Sequence, residues 1–295
     1  MVTTTSSAST PCSAAIFARS AGSPARDALR SVGANLRTLP VTFDSGYRLD
    51  WIALTALLSP ATRLVSLASP QNPSGVALPH AVVSEVLSAM AARCPDAFLL
   101  VDETYRQAAY NDDAVAPSAA TLSPRVIVTG SLSKCHGGPG LRIGWAIVRD
   151  AALREQLVLG KFNTVIANST IDEALGLKVL NQADSIIAVR RQHLGEGLSR
   201  TAAWVERNAA LVEWVRPDAG GLCCVRLRPD IFDMAAVARF HAALASLDAR
   251  AGNGTWFGDE PHVFRLGFGY LPTAELEHAL DALGTALQQA VRKAA

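Results

Sequence analysis

Short apolar runs recur along the first half of the chain, separated by longer stretches of helical spacing. The runs at 64–68, 98–101, 126–129 and 143–148 are rich in Val, Ile and Leu and are bounded by turn residues, which predicts buried strands. Between the first two, segment 79–93 sets Val82, Val83, Val86, Leu87 and Met90 at helical spacing, and Pro79 suits a first helical turn. From 151 to 208 charged and apolar positions interleave as in helices. Leu222–Leu227 and 263–268 then read as strands, and 234–247 and 273–292 as helices. Strands alternating with helices predict an α/β fold, a three-layer sandwich on a mainly parallel sheet, with a smaller C-terminal α+β domain behind it. The texture changes after Asp150, and the long helix near 185–208 joins the two parts. The expected domains are therefore 1–185 and 186–295.

Composition narrows the class of partner. The 295 residues are 49% hydrophobic, enough for a sizeable core, and carry a formal charge of only +1. With no basic stripe, nucleic acid is not an expected partner and a small molecule is. The five cysteines are odd in number and form no C-x-x-C pair, which argues against a disulfide framework or a zinc site. Adjacent Cys223 and Cys224 sit in a strand-like run, where alternation sends them to opposite faces. Segment 1–10 is rich in Ser and Thr without the pattern of a signal peptide, and no apolar run approaches the ~20 residues that span a bilayer. A cytoplasmic protein with free thiols is the expectation.

Three separated segments carry candidate chemistry. Ser69-Pro70-Gln71-Asn72-Pro73-Ser74-Gly75 follows a strand and would put Asn72 at the carboxyl end of the sheet, where open α/β folds bind ligands. On its own it reads more readily as an ordinary Pro/Gly turn. Val101-Asp102-Glu103-Thr104-Tyr105 also ends an apolar run, and its acid suits either a cap or a cationic partner. The third segment, from Ser131 to Trp145, sets two hydroxyls before Lys134, then a Gly/Pro loop, then Arg142. Hydroxyls, loop N–H groups and a guanidinium are phosphate ligands. A lone lysine is usually a solvated surface residue, but this apolar, glycine-rich setting suits an amine with a lowered pKa.

In order and spacing, N-P-x-G, D-x-x-Y and S-x-S-K followed by G-L-R-I-G resemble the signature of the class I/II aminotransferases, fold-type-I enzymes dependent on pyridoxal 5'-phosphate (PLP). The likeness runs from about Gly33 to the end of the chain. It includes Phe264-Arg265-Leu266, similar in position to the family's carboxylate-binding arginine; on its own Arg265 reads as a strand-edge charge. The resemblance implies a PLP-dependent transferase-like fold and a homodimer. It implies that Lys134 holds the cofactor as its aldimine and then shuttles a proton between Cα and C4′. Asp102 would pair with the pyridinium nitrogen, Tyr105 and Asn72 would hydrogen-bond the phenolic oxygen, and Ser131, Ser133 and Arg142 would hold the phosphate. Arg265 would take the α-carboxylate of an amino acid whose amino group passes to a 2-oxo acid.

The family's Gly-rich phosphate loop at a helix N-terminus, its ring-stacking aromatic and the tyrosine lent by the partner subunit have no match here. Judged by where Lys134 falls, on the order of 90 residues of the family's pattern are missing, so an uncovered sheet edge and an incomplete phosphate site are expected. Cys135-His136 also departs from the family, and His136 is expected to pack in its loop. Lyases, cyclases and oxidases use the same cofactor apparatus. A truncated or inactive PLP-fold protein serving as a binding module is a further alternative, although the helix-turn-helix of the regulators built that way does not precede Pro11.

Overall fold

The computed structural model describes residues 14–18, 24–111 and 115–291. Strands β1 (Ala14–Ala18), β2 (Asn35–Leu39), β3 (Thr62–Ala68), β4 (Phe98–Asp102), β5 (Val126–Ser131) and β6 (Gly144–Val148) form one sheet in the order β2-β1-β3-β4-β5-β6. The first five run parallel and β6 is antiparallel to β5. Helices α1 (Pro24–Ser31), α2 (Trp51–Leu57) and α3 (His80–Arg93) connect the parallel strands, as parallel pairing demands. A mainly parallel α/β sheet is thus present. The sequence pattern predicts neither β1, which pairs with both β2 and β3 inside the sheet, nor α1, β2 and α2.

Beyond β6 come α4 (Ala151–Val165), α5 (Thr170–Asn181) and α6 (Ala183–Arg207). A second sheet follows, built from β7 (Val212–Val215), β8 (Leu222–Leu227), β9 (Gly252–Asn253) and β10 (Val263–Gly267) in the antiparallel order β7-β8-β10-β9. Helices α7 (Met234–Ser246) and α8 (Thr273–Val291) pack beside it. Side chains cap the helix starts: Asp50, Asp150, Ser169 and Asp233 accept from the N–H groups of Ala53, Leu153, Asp172 and Ala236. Pro79 stands one residue before α3, and that helix buries Val83, Val86 and Met90.

Each sheet has its own apolar core. The first gathers Ile16, Val65, Leu99, Val101, Val126 and Val128 with the inner faces of α2 and α3. The second centres on Trp204, Phe232, Phe240, Phe264 and Phe268, with the Phe240 and Phe264 rings 5.2 Å apart. Cys223 belongs to this core, whereas Cys224 faces Phe43 and Tyr47 on the opposite side of β8, as strand alternation requires. Cys94, Cys135, Cys223 and Cys224 are all free thiols.

Polar contacts between the 42–48 loop and the second sheet tie the two parts together. Arg226 on β8 bonds Asp44 at 2.6 Å, Glu213 at 2.7 Å and Glu260 at 3.0 Å, and stacks 4.4 Å from the Phe43 ring. The buried Tyr47 hydroxyl donates to Asp259, and Gln71 Nε2 donates to the Tyr47 carbonyl at 2.9 Å. At the far side, β6 is a sheet edge with Ile147 exposed, and α4 buries none of its residues. Leu157, Val158, Leu159, Phe162 and Val165 on α4, with Ile171 and Leu177 on α5, present apolar side chains to solvent.

Candidate active site

Asn72, Asp102 and Lys134 follow or close three neighbouring strands, of which β3 and β4 end level and β5 runs two residues further. Ala68 on β3 stands opposite Asp102 on β4, and Asp102 opposite Thr129 on β5. The Asn72 turn follows β3, Asp102 closes β4, and Ser131 closes β5 three residues before Lys134. Backbone bonds stitch these ends together: Ser69 N donates to Asp102 O at 2.9 Å, and Glu103 N to Thr129 O at 2.8 Å. Inside the first turn, Gln71 N bonds Val76 O at 2.9 Å and Gly75 N bonds Gln71 O at 2.8 Å. Gly75 sits at φ 73° with its carbonyl accepting from Asp218 and Ala219.

Asp102 Oδ1 accepts from the backbone N–H of Thr104 at 3.0 Å and from its hydroxyl at 2.6 Å. The acid therefore caps the turn that carries Tyr105. In the next segment, Leu132 N donates to Ile143 O at 3.0 Å and Gly138 N to Leu132 O at 2.9 Å. Leu132 and Cys135 are buried anchors on either side of the lysine, and the Cys135 thiol donates to Thr104 O at 3.1 Å. With its neighbours turned inward, Lys134 projects outward, its Nζ 6.0 Å from the centre of the Tyr105 ring. Tyr105, Ser133 and Lys134 line a cavity of about 460 Å3 together with Arg190, Gly221 and Tyr270.

The remaining candidates lie around this centre in different states. Arg265 on β10 is half-buried, stacks 4.5 Å over the Phe257 ring and donates through Nη1 to Asn72 Oδ1 at 3.1 Å. It is no strand-edge charge, because β10 is flanked by β8 and β9. The contact joins the second sheet to the turn after β3. Arg142 adopts a left-handed backbone conformation (φ 52°) just before β6, and its exposed guanidinium folds back on Pro139 O at 3.1 Å. Ser131 Oγ accepts from Ser133 N at 3.3 Å and lines a separate small cavity beside His136, Thr129 and Trp145. Asn72, Asp102, Ser131, Arg142 and Arg265 do not line the cavity that holds Lys134.

His136 is buried against Trp145 in an edge-to-face pair with centroids 6.2 Å apart, and burial pushes its pKa below the usual imidazole value. It packs in the loop. A cavity of about 510 Å3 between α7, α8 and β10 is slightly larger than that of Lys134. Its walls are mainly leucine and alanine and it holds none of the candidates, so convergent polar groups and not volume mark the site. Arg190, Gly221, Gly269 and Tyr270 escape the sequence reading. They come from α6 and from the ends of β8 and β10, and no motif marks them.

Comparison with known proteins decides the family. The family model "Aminotransferase class I and II" matches residues 23–283. The chain belongs to the class I and II aminotransferase family. Capreomycidine synthase from Streptomyces vinaceus is 28% identical over 259 residues, covering 87% of this chain and 64% of that one. An arginine–pyruvate transaminase from Pseudomonas aeruginosa is 34% identical over 122 residues, 41% of this chain and 30% of the relative. The chain thus spans less than two thirds of the length of these curated relatives. Among solved structures, a PLP-dependent aminotransferase from Streptococcus suis superposes with a TM-score of 0.85 at 23% identity, over 96% of this chain and 73% of that one. A PLP-dependent cyclase, OrfR, gives a TM-score of 0.79 at 26% identity, covering 94% and 72%. Family membership implies pyridoxal phosphate as the cofactor.

The residues present fit that group unevenly. The aldehyde end is met by an exposed amine whose cavity lining, among the described residues, includes a phenol and no carboxylate. Of the three residues expected at the phosphate, Ser133 lines the cavity, while Arg142 and the Ser131 hydroxyl are engaged elsewhere.

Proposed function

We propose that this protein carries the lysine-bearing part of a PLP-dependent aminotransferase that moves an amino group from an α-amino acid to a 2-oxo acid. The observation that supports it most is the projection of Lys134 beside Tyr105 into a cavity at the carboxyl ends of β3, β4 and β5. When bound, the cofactor supplies an electron sink for charge developing at the substrate Cα. Lys134 is the group to hold the cofactor's aldehyde and to carry the Cα proton, and its flexible stem suits both. Asp102, steadied by Thr104, is the carboxyl group that would face the cofactor's ring nitrogen. Tyr105 and Asn72 are the partners for the phenolic oxygen, and Ser131, Ser133 and Arg142 for the phosphate. Arg265, whose planar guanidinium matches a carboxylate, orients the amino acid by its α-carboxyl group.

A ring-closing reaction is a second reading, favoured by the likeness to capreomycidine synthase and to the cyclase OrfR. The exposed apolar side chains of α4 and α5 support assembly of the chain as a homodimer, because leaving so many of them in water is costly. Four free buried thiols support a reducing, cytoplasmic setting.

The test is to mix the purified protein with PLP, reduce with borohydride and map the modified peptide, with sedimentation measured in parallel. The expected adduct is on Lys134, and Lys134→Ala abolishes both the adduct and amine transfer. Retained turnover in Lys134→Ala, or adducts spread over other lysines, overturns the reading. Amine transfer that consumes the 2-oxo acid selects the aminotransferase, and a cyclic product without acceptor consumption selects the cyclase.

A further inference from the structure

Arg265 is half-buried, yet among the described residues it forms no ion pair. Its Nη1 donates to Asn72 Oδ1 at 3.1 Å. A half-buried guanidinium without an acid needs another support, and here that support is a ring: Cζ lies 4.5 Å over the centroid of Phe257. The two contacts act in different directions. Asn72 takes one edge of the planar cation, and Phe257 takes its face. A guanidinium carries its five donors in its plane, so a contact on the face restrains that plane without occupying a donor. An acidic partner would hold the arginine as well, but it would compete with any carboxylate brought to the site.

The placing of Phe257 is not explained by core packing. Among the described residues it joins none of the apolar clusters of either sheet. Its ring lies against bare backbone instead. Gly252 on β9 is the cross-strand partner of Arg265, and a Cβ there would stand 3.3 Å from two carbons of the ring and 3.4 Å from the Arg265 Cβ. The short turn that carries the ring, Gly254–Phe257, is clamped at both ends. Asn253 Oδ1 accepts from Thr255 N at 2.9 Å and from its hydroxyl at 2.7 Å, and a Cβ on Gly254 would stand 2.5 Å from Val263 O. Gly258 closes the turn at φ 78°. Asp259 beside it donates its N–H to Gly254 O at 3.0 Å and accepts from the Tyr47 hydroxyl. The neighbouring Trp256, by contrast, is 68% exposed.

We propose that Phe257 is the positioning residue for Arg265, its ring holding the guanidinium plane so that the remaining donors stand ready for a carboxylate. The place of that grip in turnover rests on reading Arg265 as the group for the substrate's α-carboxyl group, but the support of Arg265 by Phe257 does not. The experiment is calorimetric titration of the full chain with propionate and with propionamide, which are alike in size and differ in charge. It compares the unchanged protein with Phe257→Leu, Phe257→Tyr, Trp256→Leu, Arg265→Gln and the double variant that joins Phe257→Leu to Arg265→Gln. Far-ultraviolet circular dichroism checks that each variant is folded.

A cation held over an aromatic face is worth roughly threefold to tenfold in a binding constant. Phe257→Leu is expected to weaken propionate by about that factor and propionamide by less than about twofold, while Phe257→Tyr and Trp256→Leu keep the parent's preference. Arg265→Gln should abolish the preference, and adding Phe257→Leu to it should lose nothing more, because the ring acts through the arginine. No preference for propionate in the unchanged protein, an unchanged propionate affinity in Phe257→Leu, or equal weakening of both ligands overturns the proposal. So does a Phe257→Tyr variant that loses the preference, or a further loss in the double variant. If Phe257→Leu does not fold, magnetic resonance of the unchanged protein with isotopically labelled arginine decides. The Nε–H signal that Arg265→Gln removes should be displaced by the current of the ring, and an ordinary position overturns the proposal. Failure of Lys134 labelling with intact, Phe257-dependent propionate binding removes the aminotransferase reading and leaves the support of Arg265 standing. Specific labelling with propionate binding indifferent to Phe257 does the reverse.

Discussion

Substituting Gly75 by alanine isolates the constraint that joins the Asn72 turn to the second sheet. Two separate costs apply. Gly75 has φ 73°, a left-handed conformation that costs a residue with a side chain roughly 1–2 kcal/mol. The added Cβ would also lie 2.5 Å from the Pro217 Cβ, 2.7 Å from the Ala219 carbonyl and 2.8 Å from the Leu222 carbonyl. Two of those three atoms are backbone and cannot rotate away, so the chain must shift, and overpacking of this kind costs about 1–3 kcal/mol. The expected loss is therefore about 2–5 kcal/mol.

Gly137 supplies the control. It has φ 68°, but a Cβ added there would meet nothing within 4 Å, so Gly137→Ala should lose only the conformational part, roughly 1–2 kcal/mol. Gly140 has open space and no positive φ, and Gly140→Ala should stay within about 0.5 kcal/mol. Equilibrium unfolding in urea, with the slope checked for constancy, gives the three differences. If Gly75→Ala loses no more than Gly137→Ala, the close approach of the 217–222 segment to the turn imposes nothing and the reasoning fails.

Two pH-dependent outcomes follow from buried ring groups. Tyr47 has its pKa raised, first by burial and then by nearby Cys224 and Asp259, so its folded value lies above the unfolded one. Its contribution is intact below about pH 10 and is lost as pH rises beyond it; melting temperature between pH 8 and 11 should fall more steeply for the parent than for Tyr47→Phe, and parallel curves would refute this. His136 shifts the other way, burial lowering its pKa. Its contribution is intact above about pH 6.5 and is lost as pH falls through the lower folded value. His136→Gln should flatten the acid limb of an unfolding curve between pH 5 and 6.5, and an unchanged limb would show that another group controls it.

Local chemistry is what the linear order of residues determined here. Strands β3 to β6, helix α3 and the later helices could be read because periodicity and turn residues act between near neighbours. So could the placing of Asn72, Asp102 and Lys134 at or just past strand ends, since each motif sits on a single strand-to-turn junction. The strand β1 could not, because its place between β2 and β3 is settled by pairing with distant partners and not by its five residues. Contacts across nearly two hundred positions were decided by tertiary structure alone. Arg265 meets Asn72 over a separation of 193 positions, and Arg226 meets Asp44 over 182. Arg190 enters the cavity of Lys134 from a helix whose polar face looks ordinary in sequence. The physical reason is that a helix or turn is stabilised within a few residues, whereas a cavity is whatever space remains once two independently patterned cores have packed against each other.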